Sequence, residues 1–183
     1  MNFSELDKQH MKIALDEANQ ALQENNYPVG AILVINQKII DRAHNMFHTK
    51  KARNAHAEYF LLHENSQIIW KQLKKKPFSK VELFTTLEPC LMCLGAAWIN
   101  KISRIVFACP DPHGGVTSLN PEILPKVYQD TWPQIQGGLH KEASYDLVCE
   151  FLKKSTTPNA PTILSCFEHM KKGWASTKSE KPL

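Results

Sequence analysis

The stretch Val81-Glu-Leu-Phe-Thr-Thr-Leu87-Glu88-Pro89-Cys90-Leu-Met-Cys93-Leu-Gly-Ala96 decides how the rest of the chain is read. Its first half, Val81 to Leu87, is rich in aromatic, aliphatic and β-branched residues and reads as a strand. Its second half opens with Pro89, which suits the first turn of a helix because its missing N–H would have no partner there. A strand feeding straight into a helix is the beginning of a layered α/β arrangement. The same stretch puts Cys90 and Cys93 at i and i+3, on one helix face, so that both sulfurs can converge. The positive end of the helix dipole favours their thiolate forms. Such a pair is a metal clamp, a redox pair or a packed helix face, and the remaining chain must decide which.

On the N-terminal side, residues 4–24 carry Leu6, Met11, Ile13, Leu15, Ala18 and Ala21 broadly on one side, an amphipathic helix with Ser4 as its N-cap. Residues 29–35 form a short β-type run, and Asn36-Gln37 reads as a hairpin turn into a second run over 38–43. A polar loop from His44 to Asn54 leads to a helix spanning roughly 56–65. On the C-terminal side, 104–109 is a strand, and 110–133 is a long surface loop with a short helix inside. Residues 140–154 are helical again. The order α-β-β-α-β-α-β-α implies three layers, helices around one mixed sheet. A single domain over 1–154 is therefore expected, followed by a C-terminal tail, 155–183, partly ordered around Ile163 to Met170 and loose at its end.

The 183 residues suffice for one well-buried core, and 43% hydrophobic with 22% charged residues is ordinary for a globular protein. No run approaches the roughly 20 apolar residues of a membrane span. The first residues, MNFSELDKQHMKIALDEA, lack an apolar signal core, so a cytoplasmic location is expected. The net charge of +4 permits a polyanionic partner without requiring one. Lys50-Lys51 with Arg53, Lys74-Lys75-Lys76, Lys153-Lys154 and Lys171-Lys172 hold much of the positive charge, and each also reads as a plain solvated face. Five cysteines in a chain without a secretory signal argue against a disulfide framework.

A metal clamp needs further ligands, and His56-Ala57-Glu58 supplies the candidate at the start of another helix. Residues two apart in mid-helix diverge, so His56 and Glu58 can share a pocket only if that helix presents its first turn end-on. Two helix starts facing each other would bring His56, Cys90 and Cys93 together as three zinc ligands with one corner left for water. Zinc makes that water a nucleophile near neutral pH, and an unligated carboxylate beside it, Glu58, can carry protons. The set fits hydrolytic attack on an amidine-like carbon with ammonia leaving. A closed structural zinc is the competing arrangement. It would recruit His44, His48, His63 or Cys109 as a fourth ligand and leave Glu58 without a task.

His56-Ala57-Glu58 with Pro89-Cys90-Leu91-Met92-Cys93 resembles the H-x-E…P-C-x-x-C signature of the zinc nucleobase deaminases, over residues 8–154. Within that superfamily five segments look most like bacterial tRNA adenosine deaminases: Tyr27–Ala31, His44-Asn45, Ala55–Glu58, Thr86–Ala96, and Phe107–Asp111 followed by Gly114, Gly115 and Ser118-Leu119. Guanine deaminases share a similar Cys-x-x-Cys-Leu-Gly-Ala run. The resemblance implies a three-layer α-β-α, cytidine deaminase-like fold with a mixed five-stranded sheet. It implies zinc held by His56, Cys90 and Cys93, proton transfer by Glu58, and a homodimer. It also implies that Asn45 holds the target base or its sugar, Val29 lines the base pocket, and Asp111 touches the nucleic acid. The substrate it implies is adenosine in tRNA. The alternatives are a free base, nucleoside or nucleotide of guanine or cytosine type, and, in another class, a nucleic-acid-binding module with structural zinc. Three features depart from the tRNA enzymes. Glu150-Phe-Leu-Lys-Lys154 carries fewer charges and no arginine, the loop Pro110-Asp111-Pro112-His113 differs from their usual basic loop, and the tail after 154 has no familiar counterpart. Outside the resemblance, Asn45 and Asp111 are ordinary turn-forming residues, and Cys109, Cys149 and Cys166 read as buried thiols.

Overall fold

The protein is described from a computed structural model, covering residues 3–176. Helix α1, Glu5–Gln23, begins at a full capping box: Ser4 Oγ accepts the Asp7 N–H, and Asp7 accepts the Ser4 N–H. Strands β1 (Gly30–Ile35) and β2 (Lys38–His44) form a hairpin whose two turn residues, Asn36 and Gln37, both take positive φ. That is what a tight two-residue connection between twisted strands requires. The loop after β2 contains a single helical turn, α2 (Phe47–Lys50), and leads to α3, Ala57–Lys75. Helix α3 runs well past the expected end at residue 65 because Asn65 does not break it. Its Nδ2 donates to Leu61 O at 2.9 Å and to Asp41 Oδ2 at 2.7 Å, so the polar side chain is satisfied inside the helix.

Strand β3 (Val81–Leu87) passes through Glu88-Pro89 into α4, Leu91–Ile99. Its N-cap is Cys90, so Pro89 stands just before the helix and not in its first turn. Strand β4 (Arg104–Cys109) is followed by a loop holding a 3-10 turn (Pro121–Ile123) and α5 (Lys126–Gln129). A fifth strand, β5 (Gln134–Gly137), comes next, then α6 (Lys141–Lys154) and α7 (Ala160–Ser176). The sheet order is β2-β1-β3-β4-β5, antiparallel on the hairpin side and parallel from β3 to β5. This is the mixed five-stranded sheet between helix layers: α1 and α6 contact one face, and α3 packs on the other with α4 beside it.

Two clusters make up the core. Met11 and Ala14 of α1 pack with Ile32, Val34, Phe84 and Val106, while Leu33, Leu61, Leu83, Leu94 and Ile105 belong to a larger cluster that includes α3, α4 and α6 residues such as Val148. Gly30 lets α1 lie directly on β1, since a Cβ there would sit 2.1 Å from Ala14 O. Helix α7 packs on α6 through fully buried Phe167, with Tyr145 sandwiched between Phe167, Trp174 and the Lys171 ammonium. The far end of the expected tail, 177–183, lies outside the described residues. No described helix is long and apolar enough to cross a membrane.

Candidate active site

The parallel strands β3 and β4 end on the same side of the sheet as the start of β1 and the end of β2. Open α/β sheets bind ligands beyond their strand ends, where the chain leaves in different directions. Two helices begin there. His56 is the N-cap of α3 and Cys90 the N-cap of α4, both with extended backbone and neither making a side-chain capping bond. An N-cap residue has not yet entered the helix, so its side chain is aimed independently of the helical face. This is how His56 and Glu58, two residues apart, reach one place: one caps α3 and the other lies in its first turn.

His56 Nδ1 lies 3.6 Å from Cys90 Sγ and 3.6 Å from Cys93 Sγ. The ligand atoms of His56, Cys90 and Cys93 all fall within 4.8 Å of one another. A tetrahedral zinc with bonds of roughly 2.1 Å to nitrogen and 2.3 Å to sulfur has nitrogen–sulfur edges of about 3.6 Å, so these residues fit the ion. The electrostatics point the same way. The hydrogen bond from Cys93 holds the Cys90 thiol down at about 4; burial opposes this and His56 reinforces it. Cys93 is pushed up by that same hydrogen bond, by burial and by the nearby charges of Glu58 and Cys90. Hydrogen bonding to Cys90 raises His56 against its burial. Burial raises Glu58, whose Oε2 is 3.5 Å from Cys93 Sγ. Crowded negative groups in a low-dielectric corner are what a bound cation relieves.

The residues suggested for a closed site are otherwise engaged or not gathered there. Both ring nitrogens of His44 meet carboxylates, Glu17 at 2.9 Å and Glu24 at 3.1 Å, and Cys109 Sγ donates to Pro110 O at 3.2 Å. Among the described residues the cluster of mutually close metal-ligating groups at this corner is His56, Cys90 and Cys93.

Above this corner is a cavity of about 380 Å³, lined by His56, Glu58 and Cys90 and also by Val29, Asn45 and Asp111. All three residues expected to meet substrate therefore share one space with the metal corner. Asn45 is buried; its N–H donates to Val29 O at 2.8 Å and its Oδ1 accepts the Phe47 N–H at 2.9 Å, which fixes the amide plane. Asp111 Oδ1 accepts the N–H groups of His113 and Gly114, and burial raises its carboxyl.

Several lining residues escaped the sequence reading. Tyr27, His48 and Phe151 form an aromatic side of the cavity, with Tyr27 edge-on to Phe151 at 5.2 Å and His48 at 6.1 Å from the same ring. Thr157, Pro158, Asn159 and Ile163, from the α6–α7 turn and the start of α7, complete the wall. Asn26, fully buried, pins the loop that carries His48. Its Oδ1 accepts the N–H groups of His48 and Thr49, and its Nδ2 donates to Thr49 Oγ1. Glu88 also lines the cavity. A carboxylate directly before Pro89, at the end of a strand, was the available signal for it.

Comparison with known proteins agrees with this geometry. The profile of the cytidine and deoxycytidylate deaminase zinc-binding region matches residues 4–109. A tRNA-specific adenosine deaminase of Aquifex aeolicus is 36% identical over 150 residues, 79% of this chain and 92% of that protein. A structure from a study of A-to-I editing by tRNA:A34 deaminases at the wobble position of transfer RNA aligns with a TM-score of 0.61 at 27% identity. It covers 76% of this chain and 98% of its own. Guanine deaminase from Nitrosomonas europaea shares the fold, with a TM-score of 0.65 at 20% identity over 79% of this chain and 83% of its own. By sequence match, fold and metal corner together, the chain belongs to the cytidine and deoxycytidylate deaminase zinc-binding family and is a zinc-dependent hydrolytic deaminase.

Proposed function

We propose that the protein deaminates adenosine to inosine in tRNA. The observation that carries this reading is the convergence of His56, Cys90 and Cys93 at the floor of a cavity with Glu58 beside them, in a chain 36% identical to a tRNA-specific adenosine deaminase. The bound zinc supplies an activated water at neutral pH. The chain's own residues do the rest. Glu58 takes the proton of the attacking water and delivers it to the departing amino nitrogen, so one C–N bond breaks, one C–O bond forms and ammonia leaves. Asn45, its amide plane fixed by Phe47 N–H, orients the base; Val29 gives it an apolar floor and Asp111 contacts the nucleotide. Lys50 ends α2, with Lys51 and Arg53 after it, close in sequence to the cavity-lining Phe47 and His48, and Lys153 and Lys154 end α6 just after the cavity-lining Phe151 and Leu152. All five are exposed, as a polyanion requires.

The second reading is a free base or nucleoside of guanine type, favoured by the wall that the α6–α7 turn adds to the cavity holding His56, Glu58 and Cys90. An ammonia-release screen separates the two. Turnover of an unmodified tRNA transcript that weakens steeply with salt supports the tRNA reading, and salt-independent turnover of free guanine supports the other.

The protein acts as a homodimer in this reading. Leu91 and Ile99 on α4 are 67% and 69% exposed; Trp70 on α3 shares a groove with Ile99, and Ile68 on α3 is exposed as well. A second copy covering this face would lie next to Cys90. Replacing Leu91 and Ile99 by aspartate should give monomers in sedimentation. A cytoplasmic location accords with a tRNA substrate.

A further inference from the structure

Three acids line the cavity, Glu58, Glu88 and Asp111, and they are held in different ways. Glu88 turns both carboxylate oxygens toward the loop that follows β4. Its Oε2 accepts the Asp111 N–H at 3.0 Å; its Oε1 accepts the Thr117 N–H at 2.9 Å and the Thr117 hydroxyl at 2.6 Å. The main chain repeats the connection, with Glu88 N–H donating to Cys109 O at 2.9 Å and Val116 N–H to Pro89 O at 3.2 Å. Gly115 lies against the carboxyl group so closely that a Cβ there would sit 2.4 Å from Glu88 Cδ. From residue 110 to residue 120 the loop contains no helix or strand. Its other hydrogen bonds are short-range, including those that join Asp111 to residues 113–115, Cys109 Sγ to Pro110 O, Leu119 N–H to Val116 O and Glu122 N–H to Asn120 Oδ1, and Val116 rests on the core.

Glu88 therefore stands between the metal corner, two residues on at Cys90, and the loop that brings Asp111 to the substrate. We propose that Glu88 is a positioning residue, which sets the register of the 111–117 loop against the Cys90 corner and through Asp111 governs how the substrate nucleotide is held. It neither transfers protons nor touches the reacting atoms. This inference rests on the proposed role of Asp111 as a substrate contact. The chemistry makes glutamate hard to replace. Hydrogen bonds to a charged acceptor are stronger than neutral ones, and here three donors converge on one carboxylate. In Glu88→Gln one oxygen becomes an NH₂ group, which must face either the Asp111 N–H or the Thr117 pair, donor against donor.

The test combines kinetics on an unmodified tRNA transcript, zinc content and amide hydrogen exchange of residues 110–117. Glu88→Gln should keep the wild-type zinc content, raise KM about tenfold or more with kcat changed less than about threefold, and speed exchange at Asp111 and Thr117. Thr117→Val, which removes the hydroxyl donor alone, should move KM and exchange the same way by a smaller factor; it also stands in if Glu88→Gln does not fold. A fall in kcat of about a hundredfold at unchanged KM would overturn the inference by making Glu88 a participant in the chemistry. Wild-type KM and wild-type exchange in the variants would overturn it by showing an unregistered loop. A wild-type protein inactive on tRNA would instead count against the proposed substrate, and loop exchange would still decide the role of Glu88.

Discussion

His56 Nδ1 and Cys90 Sγ stand 3.6 Å apart across 34 positions of sequence because each residue is the N-cap of a helix and both helices start at one end of the sheet. Neither side chain caps its own helix. Both are spent on the shared corner, so a metal there ties α3 to α4. Purified protein should contain about one zinc per chain, and His56→Ala or Cys90→Ala should each lose it and lower the melting temperature. Metal analysis by mass spectrometry with thermal denaturation checks this. Full zinc content in either variant would count against the corner.

The contact between α1 and β1 sets a second expectation. In Gly30→Ala the new methyl would meet Ala14 O at 2.1 Å and Ala18 N at 2.5 Å, both backbone atoms that cannot rotate aside. Overpacking of this kind should cost about 3 kcal/mol or more, read by urea denaturation. A variant as stable as wild type would mean that α1 rides higher over the sheet.

Arg104 joins three elements. It grips Asp7 with two nitrogens, at 2.7 and 3.1 Å, and reaches Glu82 at 2.9 Å and Gln136 at 2.6 Å. Burial would raise the Asp7 carboxyl, but the Arg104 hydrogen bonds and those from Ser4 outweigh it and hold it at about 2, below the ordinary 3.8. A depressed carboxyl stabilises the fold fully above its unfolded value and progressively less as pH falls toward its folded one. Wild type should therefore lose about 2 kcal/mol between roughly pH 4 and pH 2 from this group. Arg104→Met should be less stable at pH 7 by about 3 kcal/mol and show a flatter acid limb. Parallel acid limbs in the two proteins would remove Arg104 as the cause.

Helix α7 should be a fixed wall of the cavity because Phe167 anchors it from beneath. Phe167→Ala should cost about 3–5 kcal/mol in thermal or urea unfolding. Limited proteolysis should then cut first near Thr157–Asn159, before the α1–β1 region opens. Unchanged stability would mean that α7 does not depend on that ring.

Much of this was written plainly in the sequence. The Ser4 cap, the Asn36-Gln37 hairpin and the β3 and β4 runs carry local signals that burial only reinforces. The metal corner was legible because two facing helix starts could unite His56 and Glu58 with Cys90 and Cys93, and because together these residues resemble the deaminase signature. What stayed hidden depends on partners distant in the chain. Strand β5 is Gln-Ile-Gln-Gly, too short and polar to announce itself, and it forms because β4 offers an edge for it to join in parallel. Helix α7 follows a Ser/Thr/Pro stretch and extends beyond the order expected around Ile163 to Met170, because Phe167 and Trp174 pack against Tyr145. Glu88 and Asn26 gained meaning only when the loops they hold were seen in place.

The central claim is that Glu58 carries protons for an attack prepared by the metal corner, without holding the metal itself. Ammonia release from the substrate that wild type turns over best, measured for wild type and Glu58→Gln with zinc determined in the same samples, tests it most directly. The account predicts equal zinc, an intact fold and a rate lowered by at least about a hundredfold to ten-thousandfold in the variant. Wild-type turnover by Glu58→Gln at equal zinc would contradict it.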